Sequence, residues 1–302
     1  MTNGLSLNEV LHTHARWVDE ESAGRRCILE NETLNEAQLP GVNLQRAILR
    51  GTTFLDAELS GANLSRTMCD TSVFERAMLT EADLSGAQIS DSQFGCAWLT
   101  NAIFSDTKLR TSSFHKANLR DGRFQGALIE SCKFVGANLS AASFHHARIA
   151  TSDFAESEFV KAQFHRVQIQ GSRFCGANGA GANFSNSRLR ACDFAKADLS
   201  GAKFFQTDFT GSQLDRTFLN GADLREAQLS GVILSCAELR NVRFRGAKLF
   251  AADLRSADLT GALELTAAQL VQARTDESTI LPNGTRGPYR RYSGAERSLI
   301  KT

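Results

Sequence analysis

Tyrosine and tryptophan are scarce in this 302-residue chain, two of each, and proline occurs three times, whereas phenylalanine occurs twenty times. Apolar rings without their polar-tipped counterparts point to a core demand that recurs many times. No stretch approaches the roughly 18 apolar residues of a membrane span, and the opening residues lack the basic end and apolar run of a signal peptide. A cytoplasmic protein with no membrane partner is therefore expected. Neither sign of charge is in excess: 34 Lys and Arg stand against 33 Asp and Glu, a net charge of +1, so no global field recruits nucleic acid. The seven cysteines form no CxxC pair, which fits reduced thiols better than a disulfide framework or a zinc site. With 42% hydrophobic and 22% charged residues, the composition excludes disorder and collagen and points to a soluble globular class.

What is present is a strict five-residue period. From Leu29 to Leu259 it runs through 47 consecutive repeats without an insertion or deletion, and the centres are 24 Leu, 17 Phe, 4 Ile, Cys69 and Gly179. Two residues before each centre stands a small residue, Glu32 being the single exception. Five residues of α-helix turn roughly 500°, so the centres would drift around the axis. In a straight strand, alternate centres would face opposite sides. The chain must turn a corner once per repeat, with small residue and centre pointing inward from a short extended segment; this is a β-solenoid.

Phenylalanine counts the sides. Phe54, Phe74, Phe94, Phe114, Phe134, Phe154, Phe174 and Phe194 recur every twenty residues, and Phe104, Phe124, Phe144, Phe164, Phe184 and Phe204 form a second column offset by ten. Ile89, Ile129, Ile149 and Ile169 share one of the two intervening columns. A coil of four repeats explains all of this, with like side chains stacked about 4.8 Å apart and a rod on the order of 55 Å long. Gly179 removes one core side chain, and Phe159, one coil earlier in the same column, is expected to lean into the gap.

Gly61, Ala62, Asn63, Leu64 and Ser65 resemble the motif of the pentapeptide repeat family, as do Ala82, Asp83, Leu84, Ser85 and Gly86, and Gly221 to Leu224. The resemblance covers about residues 27 to 262. It implies an all-β solenoid, a right-handed quadrilateral β-helix, with short α-helical caps. Four regions are expected: an N-terminal helical cap at 1–26, the pentapeptide-repeat β-helix at 27–262, a C-terminal helical cap at 263–274 and an irregular basic tail at 275–302.

Both caps carry local signals. Ser6 and Glu9 have capping-box spacing, followed by a helical stripe of Leu7, Val10, Leu11, His14, Trp17 and Val18. Thr266 and Gln269 offer a second box, with Leu265, Leu270 and Val271 to cover the last coil. Beyond residue 275, Arg286, Arg290, Arg291, Arg297 and Lys301 read as a mobile, solvated tail.

No catalytic or phosphate-binding motif is present, and the carboxylates occupy outward positions reserved for polar residues; Asp198, Glu238 and Asp258, in one column, read as a solvated face. No enzyme activity, cofactor or metal is expected. Cys27, Cys132 and Cys192 fill small inward positions. Two outward groups single themselves out as partner-binding candidates. One is the column of His145, His165, Phe205, Arg225 and Arg245, an aromatic with flanking cations. The other is Met78 with Trp98, stacked in adjacent coils as a docking patch or dimer contact. Ile28, Ile48 and Met68 are expected beneath the N-terminal segment.

Charge is segregated: residues 27–105 carry a net −6, whereas 159–192 hold Lys161, Arg166, Arg173, Arg188 and Arg190 and no acid. The expected function is a non-enzymatic protein-interaction scaffold, a rigid β-helical rod with a protein partner that the sequence does not name. The resemblance supplies an alternative, since quinolone-resistance members of the family resemble DNA and bind DNA gyrase. Such a topoisomerase partner requires an acidic surface, which only the N-terminal third offers. A secretion-system effector or adaptor is a further alternative, and direct nucleic-acid binding the weakest.

Overall fold

The computed structural model describes residues 6–298. It divides into two compact units, Met1–Arg148 and Ile149–Thr302. The first opens with helix α1 (Leu7–Val18), closed by the Ser6–Glu9 capping box. Six three-residue strands follow: β1 (Ile28–Glu30), β2 (Ile48–Arg50), β3 (Met68–Asp70), β4 (Gln88–Ser90), β5 (Lys108–Arg110) and β6 (Leu128–Glu130). They pair in parallel, each residue with the one twenty further on, as in Leu49↔Cys69 and Ile89↔Leu109. The other three faces are joined by single bridges of the same spacing, Thr53↔Val73, Met78↔Trp98 and Asp83↔Ile103 among them. Each coil is thus four-sided. β7 (Arg148–Ala150) begins at the end of this unit; the second unit contains β8 (Gln168–Gln170) paired in parallel with β9 (Arg188–Arg190), then bridged coils, and helix α2 (Ala267–Gln272). The chain forms a β-solenoid of pentapeptide coils.

The corners explain the fifth residue of the repeat. At every corner from Asn31 to Gly261 that residue has a positive φ, between 45° at Thr111 and 73° at Gly211. Most corner residues are not glycine, so the left-handed conformation is imposed by what surrounds it. On one side of the corner the centre's amide donates to the next coil, Leu59 N to the Met78 carbonyl at 2.7 Å. On the other, Gly61 N donates to the Thr80 carbonyl at 2.8 Å. The small residue then closes the turn on the preceding centre, as Ala62 N does on the Leu59 carbonyl at 3.0 Å.

Inside, the rings stack as the periodicity predicts. In the first unit Phe54, Phe74, Phe94, Phe114 and Phe134 lie 4.7–4.9 Å apart, centroid to centroid. The second column meets them edge-on, Phe104 against Phe114 at 5.9 Å and 83°. In the second unit Phe154, Phe174 and Phe194 repeat the arrangement at 4.9 and 4.7 Å. These rings are fully buried, each contributing roughly 1.5–3 kcal/mol.

One corner differs from the other three, and the periodicity alone did not foretell it. After the strand face, the buried small positions are Thr52, Ser72, Ser92, Ser112 and Cys132 in the first unit and Ser152, Ser172, Cys192 and Ser212 in the second. Here the amide of the small residue donates to the side chain one coil on: Ser72 N to Ser92 Oγ at 3.1 Å, Ser92 N to Ser112 Oγ at 3.2 Å, Ser152 N to Ser172 Oγ at 3.1 Å and Cys192 N to Ser212 Oγ at 3.0 Å. The hydroxyls pass on to strand carbonyls, Ser72 Oγ to Leu49 at 3.1 Å and Ser212 Oγ to Leu189 at 2.6 Å. A hydroxyl therefore satisfies a buried amide that an extended strand, unlike a tight turn, leaves open. After β9 the corner reverts: Ser212 N, Val232 N and Ala252 N bond the carbonyls of Phe209, Leu229 and Leu249 at 2.9, 3.1 and 3.0 Å. The hydroxyl is then dispensable, and the position becomes Val and Ala.

The gap at Gly179 is filled as expected. A Cβ built there would fall 1.9 Å from Phe159 Cε2. Phe159 is fully buried and packs edge-on against Phe164, Phe174 and Phe184 at 5.7, 5.7 and 6.0 Å.

At the ends, two expectations change. Ile28 and Met68 are not covered by the N-terminal segment; they are 42% and 39% exposed, because α1 seats through the single buried side chain His14 rather than along the strand face. The solvated tail expected from residue 275 is instead held to the last coils. Arg274 pairs with Asp253 and Ile280 with Asp258, Thr279 Oγ1 bonds the Leu254 carbonyl at 3.1 Å, and Leu281 and Ala295 are buried. The hydrogen bonds of the final coil require partners, and residues 263–282 supply them with α2 replacing one side. Lys301 lies outside the described residues.

Two outcomes are expected. Ser92→Ala strands the buried Ser72 amide and should cost about 1–3 kcal/mol in chemical denaturation; an unchanged midpoint would contradict the role of the hydroxyl. Gly179→Leu alone should destabilise the protein through its clash with Phe159, and Phe159→Leu alone through a void, by about 1–3 kcal/mol or more each. The double substitution should recover most of the loss, and additive losses would refute the compensation.

Candidate functional site

The outward positions of a coil are polar because its inward positions take the apolar side chains, so an exposed apolar residue is out of phase with the repeat. In the first unit Met78 and Trp98 are bridged in register on adjacent coils and are 47% and 56% exposed. Glu58 precedes them in the column and Asn118 follows. Both polar neighbours are turned to their own corners: Glu58 Oε1 accepts from Ser60 N at 2.8 Å and Asn118 Oδ1 from Arg120 N at 3.3 Å. The apolar pair is left as the feature that faces solvent.

The second candidate column is divided between the units. His145, half-buried, belongs to the first, where its carbonyl accepts from Gly126 N at 3.0 Å; His165, also half-buried, belongs to the second with Phe205, Arg225 and Arg245. Arg225 lies over the Phe205 ring, 5.8 Å from its centroid, and forks onto the Asp223 carboxylate at 2.7 and 2.6 Å. These bonds hold the Asp223 carboxyl below the usual carboxylate range despite partial burial. Arg245 reaches Glu264 at 3.9 Å. A cleft of about 240 Å³ is lined by Arg225, Arg243, Leu263 and Glu264. The cations of this column therefore have carboxylate partners within the chain, unlike the bare aromatic-cation stripe that the sequence suggests.

The acidic column follows the same logic. Asp198 Oδ1 caps Ser200 N at 3.0 Å, Glu238 accepts from Asn220 at 2.8 Å and Asp258 from Arg240 at 2.7 Å. Among the described residues no group of three His, Cys, Asp or Glu is placed to hold a metal. Burial pushes the Cys27, Cys132 and Cys192 thiols up to about 11, as it does Cys69 at a centre, so they fill space as neutral groups. No helix among the described residues is long and apolar enough to cross a membrane.

Sequence reasoning passed over several exposed apolar residues in the second unit. Phe218 and Phe250 are 41% and 66% exposed, and Tyr292 is 90% exposed with φ +69°. Tyr292 and Arg291 face α2 across a cleft of about 410 Å³, shared with Val271 and Glu296. The signal was present for the phenylalanines, since Phe218 precedes a centre and Phe250 follows one.

A family model described as pentapeptide repeats matches the chain in overlapping segments from residues 57–95 to 237–274. No curated protein matches it. Among solved structures, it is similar to HetL, a pentapeptide repeat protein involved in heterocyst differentiation regulation from the cyanobacterium Nostoc sp. strain PCC 7120. That match has 23% identity, covers 93% of this chain and 99% of the other, and has a TM-score of 0.36. A pentapeptide repeat protein of the Arabidopsis thaliana thylakoid lumen is 31% identical over 34% of this chain and 70% of its own, at a TM-score of 0.28. Full-length QnrB1, a plasmid-mediated fluoroquinolone resistance protein, is 17% identical over 83% and 92%, at a TM-score of 0.30.

In an Arg225→Ala variant the Asp223 carboxyl should titrate at higher pH than in the parent protein, followed by carbonyl NMR, because its chief hydrogen-bond partner is gone. A titration that does not move would show that the fork is not formed in solution.

Proposed function

Because the chain belongs to the pentapeptide repeat family, a class of β-helical scaffolds, we propose that it acts as a non-enzymatic interaction scaffold that presents side chains at fixed spacing to a protein partner. The observation that carries this reading is the Met78–Trp98 pair. The backbone bridge between the two coils holds their side chains side by side, so that two large apolar groups stand together in water between the polar column neighbours Glu58 and Asn118. A preordered tryptophan beside a methionine loses little side-chain entropy on docking and buries much apolar area, the usual profile of an interface anchor. The Phe205–Arg225 stack is the secondary contact surface: its guanidinium is already oriented by Asp223, so it offers a flat, rigid face rather than a free charge.

A topoisomerase is the second reading for the partner, and the observation favouring it is the acidity of residues 27–105. The basic, acid-free stretch from 159 to 192 opposes it, since a DNA-like surface must be acidic along its length. In this proposal the protein acts in the cytoplasm.

The test is capture of partners from the nuclease-treated lysate of the host. Three baits are compared: the parent protein, a Met78→Ala/Trp98→Ala variant and a Phe205→Ala/Arg225→Ala/Arg245→Ala variant. A protein retained by the parent and lost with Met78 and Trp98 is the expected result. Retention by all three baits would move the interface off both surfaces, and recovery of a topoisomerase would select the second reading.

A further inference from the structure

We propose that α1 is an acid-released cap: protonation of His14 breaks its seat on the first coil and frees the helix. His14 is the only fully buried side chain of α1, and its Nδ1 accepts the Cys27 backbone amide at 3.0 Å. That bond dictates the tautomer. Nδ1 must be bare, so the neutral ring carries its proton on Nε2. An imidazolium has a proton on both nitrogens, which would set N–H against N–H at a buried contact and leave the Cys27 amide without an acceptor.

The surroundings add to the cost of the charge. Burial favours the neutral ring and lowers its pKa below the ordinary histidine value of 6.5; Arg26 acts in the same direction, and the Gln45 backbone carbonyl offsets them in part. Nε2 itself makes no hydrogen bond of good geometry. Arg26 is held close, because its guanidinium lies 5.8 Å from the Trp17 ring centroid while Trp17 stacks on His14 at 5.6 Å. On the helix, Arg16 is neutralised by Glu21 at 2.6 Å. From the first coil, the Cys27 thiol, pushed up to about 11, stays neutral. From the second coil, the Arg46 carbonyl takes the Arg26 Nε hydrogen and fixes that cation in place.

The other attachments of the helix are more exposed. Arg25 N bonds the Thr13 carbonyl at 2.9 Å, and Gly24 lies so close to the helix that a Cβ would fall 2.2 Å from Trp17 N. The rest of the apolar stripe, Leu7, Val10, Leu11, Trp17 and Val18, is only half-buried. His14 is therefore the one fully buried side-chain contact of the helix.

The sign follows from the direction of the shift. Above pH 6.5 both the seated and the released ring are neutral and the cap is fully held. As pH falls below 6.5 the released ring takes the proton first. The seated-to-released ratio then drops by up to about tenfold per pH unit, until the lowered value of the seated ring is reached.

Hydrogen exchange of the amides of residues 7–18 in the full chain, corrected for the intrinsic rate, measures that ratio at pH 7.5, 6 and 4.5. Protection of α1 should fall below pH 6.5, by up to about tenfold per unit, while the amides of β4 and β5 keep theirs. His14→Asn, which sets a non-titrating oxygen acceptor near the place of Nδ1, should flatten the dependence; carboxylate protonation, the competing cause of acid loosening, would leave it as steep as in the parent. Independently of any variant, nitrogen-15 NMR of the imidazole should show a bare Nδ1, a protonated Nε2 and a titration below the ordinary range. A His14 that titrates at or above 6.5, or α1 protection that is constant from pH 7.5 to 4.5, would overturn the proposal.

Discussion

Each unit is held by one repeated backbone interaction: the amide of a centre donates to the carbonyl nineteen residues on, as Leu59 does to Met78 and Phe94 to Ser113, both at 2.7 Å. Everything else is arranged so that this spacing never slips. The four corners of a coil must together consume the same number of residues every time, and a left-handed residue at each corner makes that possible at the cost of unfavourable φ angles. Stacked rings then reward the correct register and penalise any other, because a shift of one repeat would set Phe on Leu. The hydrogen bonds alone are indifferent to which repeat they join; the side-chain columns make the choice.

Much of this was legible in the amino-acid order, for a physical reason. Periodicity reports which residues share an environment, so the coil length, the columns and the Phe159 repair of Gly179 are written in it. Periodicity is silent about conformation within the repeat. The strand face carried a signal all the same. Ile89, Ile129 and Ile169 are β-branched, which suits extended backbone, and the small residue three positions later in those coils is Ser92, Cys132 or Ser172, each with a polar side chain for the open corner. The change to Val232 and Ala252 marks the return to tight turns.

The ends were harder to read, because neither has a neighbour in phase. The segment after residue 274 looked like solvated chain since its basic residues obey no period, yet the last coil needs acceptors and the passing chain provides them at Arg274, Ile280 and Pro282. The candidate site was half legible. Met78 and Trp98 could be placed side by side from spacing alone, whereas the engagement of Arg225 with Asp223 depends on a side-chain fork that spacing does not disclose. A surface built from such columns owes its rigidity to the coil beneath, which is why outward residues can vary without disturbing the fold that presents them.

The central claim is that register, twenty residues to the coil, is what the structure depends on. It is tested most directly by thermal unfolding of two deletions within the first unit. Removing Ser85–Phe104 takes out one whole coil and restores every column, since Asp83 and Ile103 are register partners. Removing Ser85–Ile103 takes out one residue fewer and throws every later centre out of phase. The account predicts a cooperative transition near that of the parent for the first deletion and loss of cooperative folding for the second. Equal behaviour of the two would contradict it.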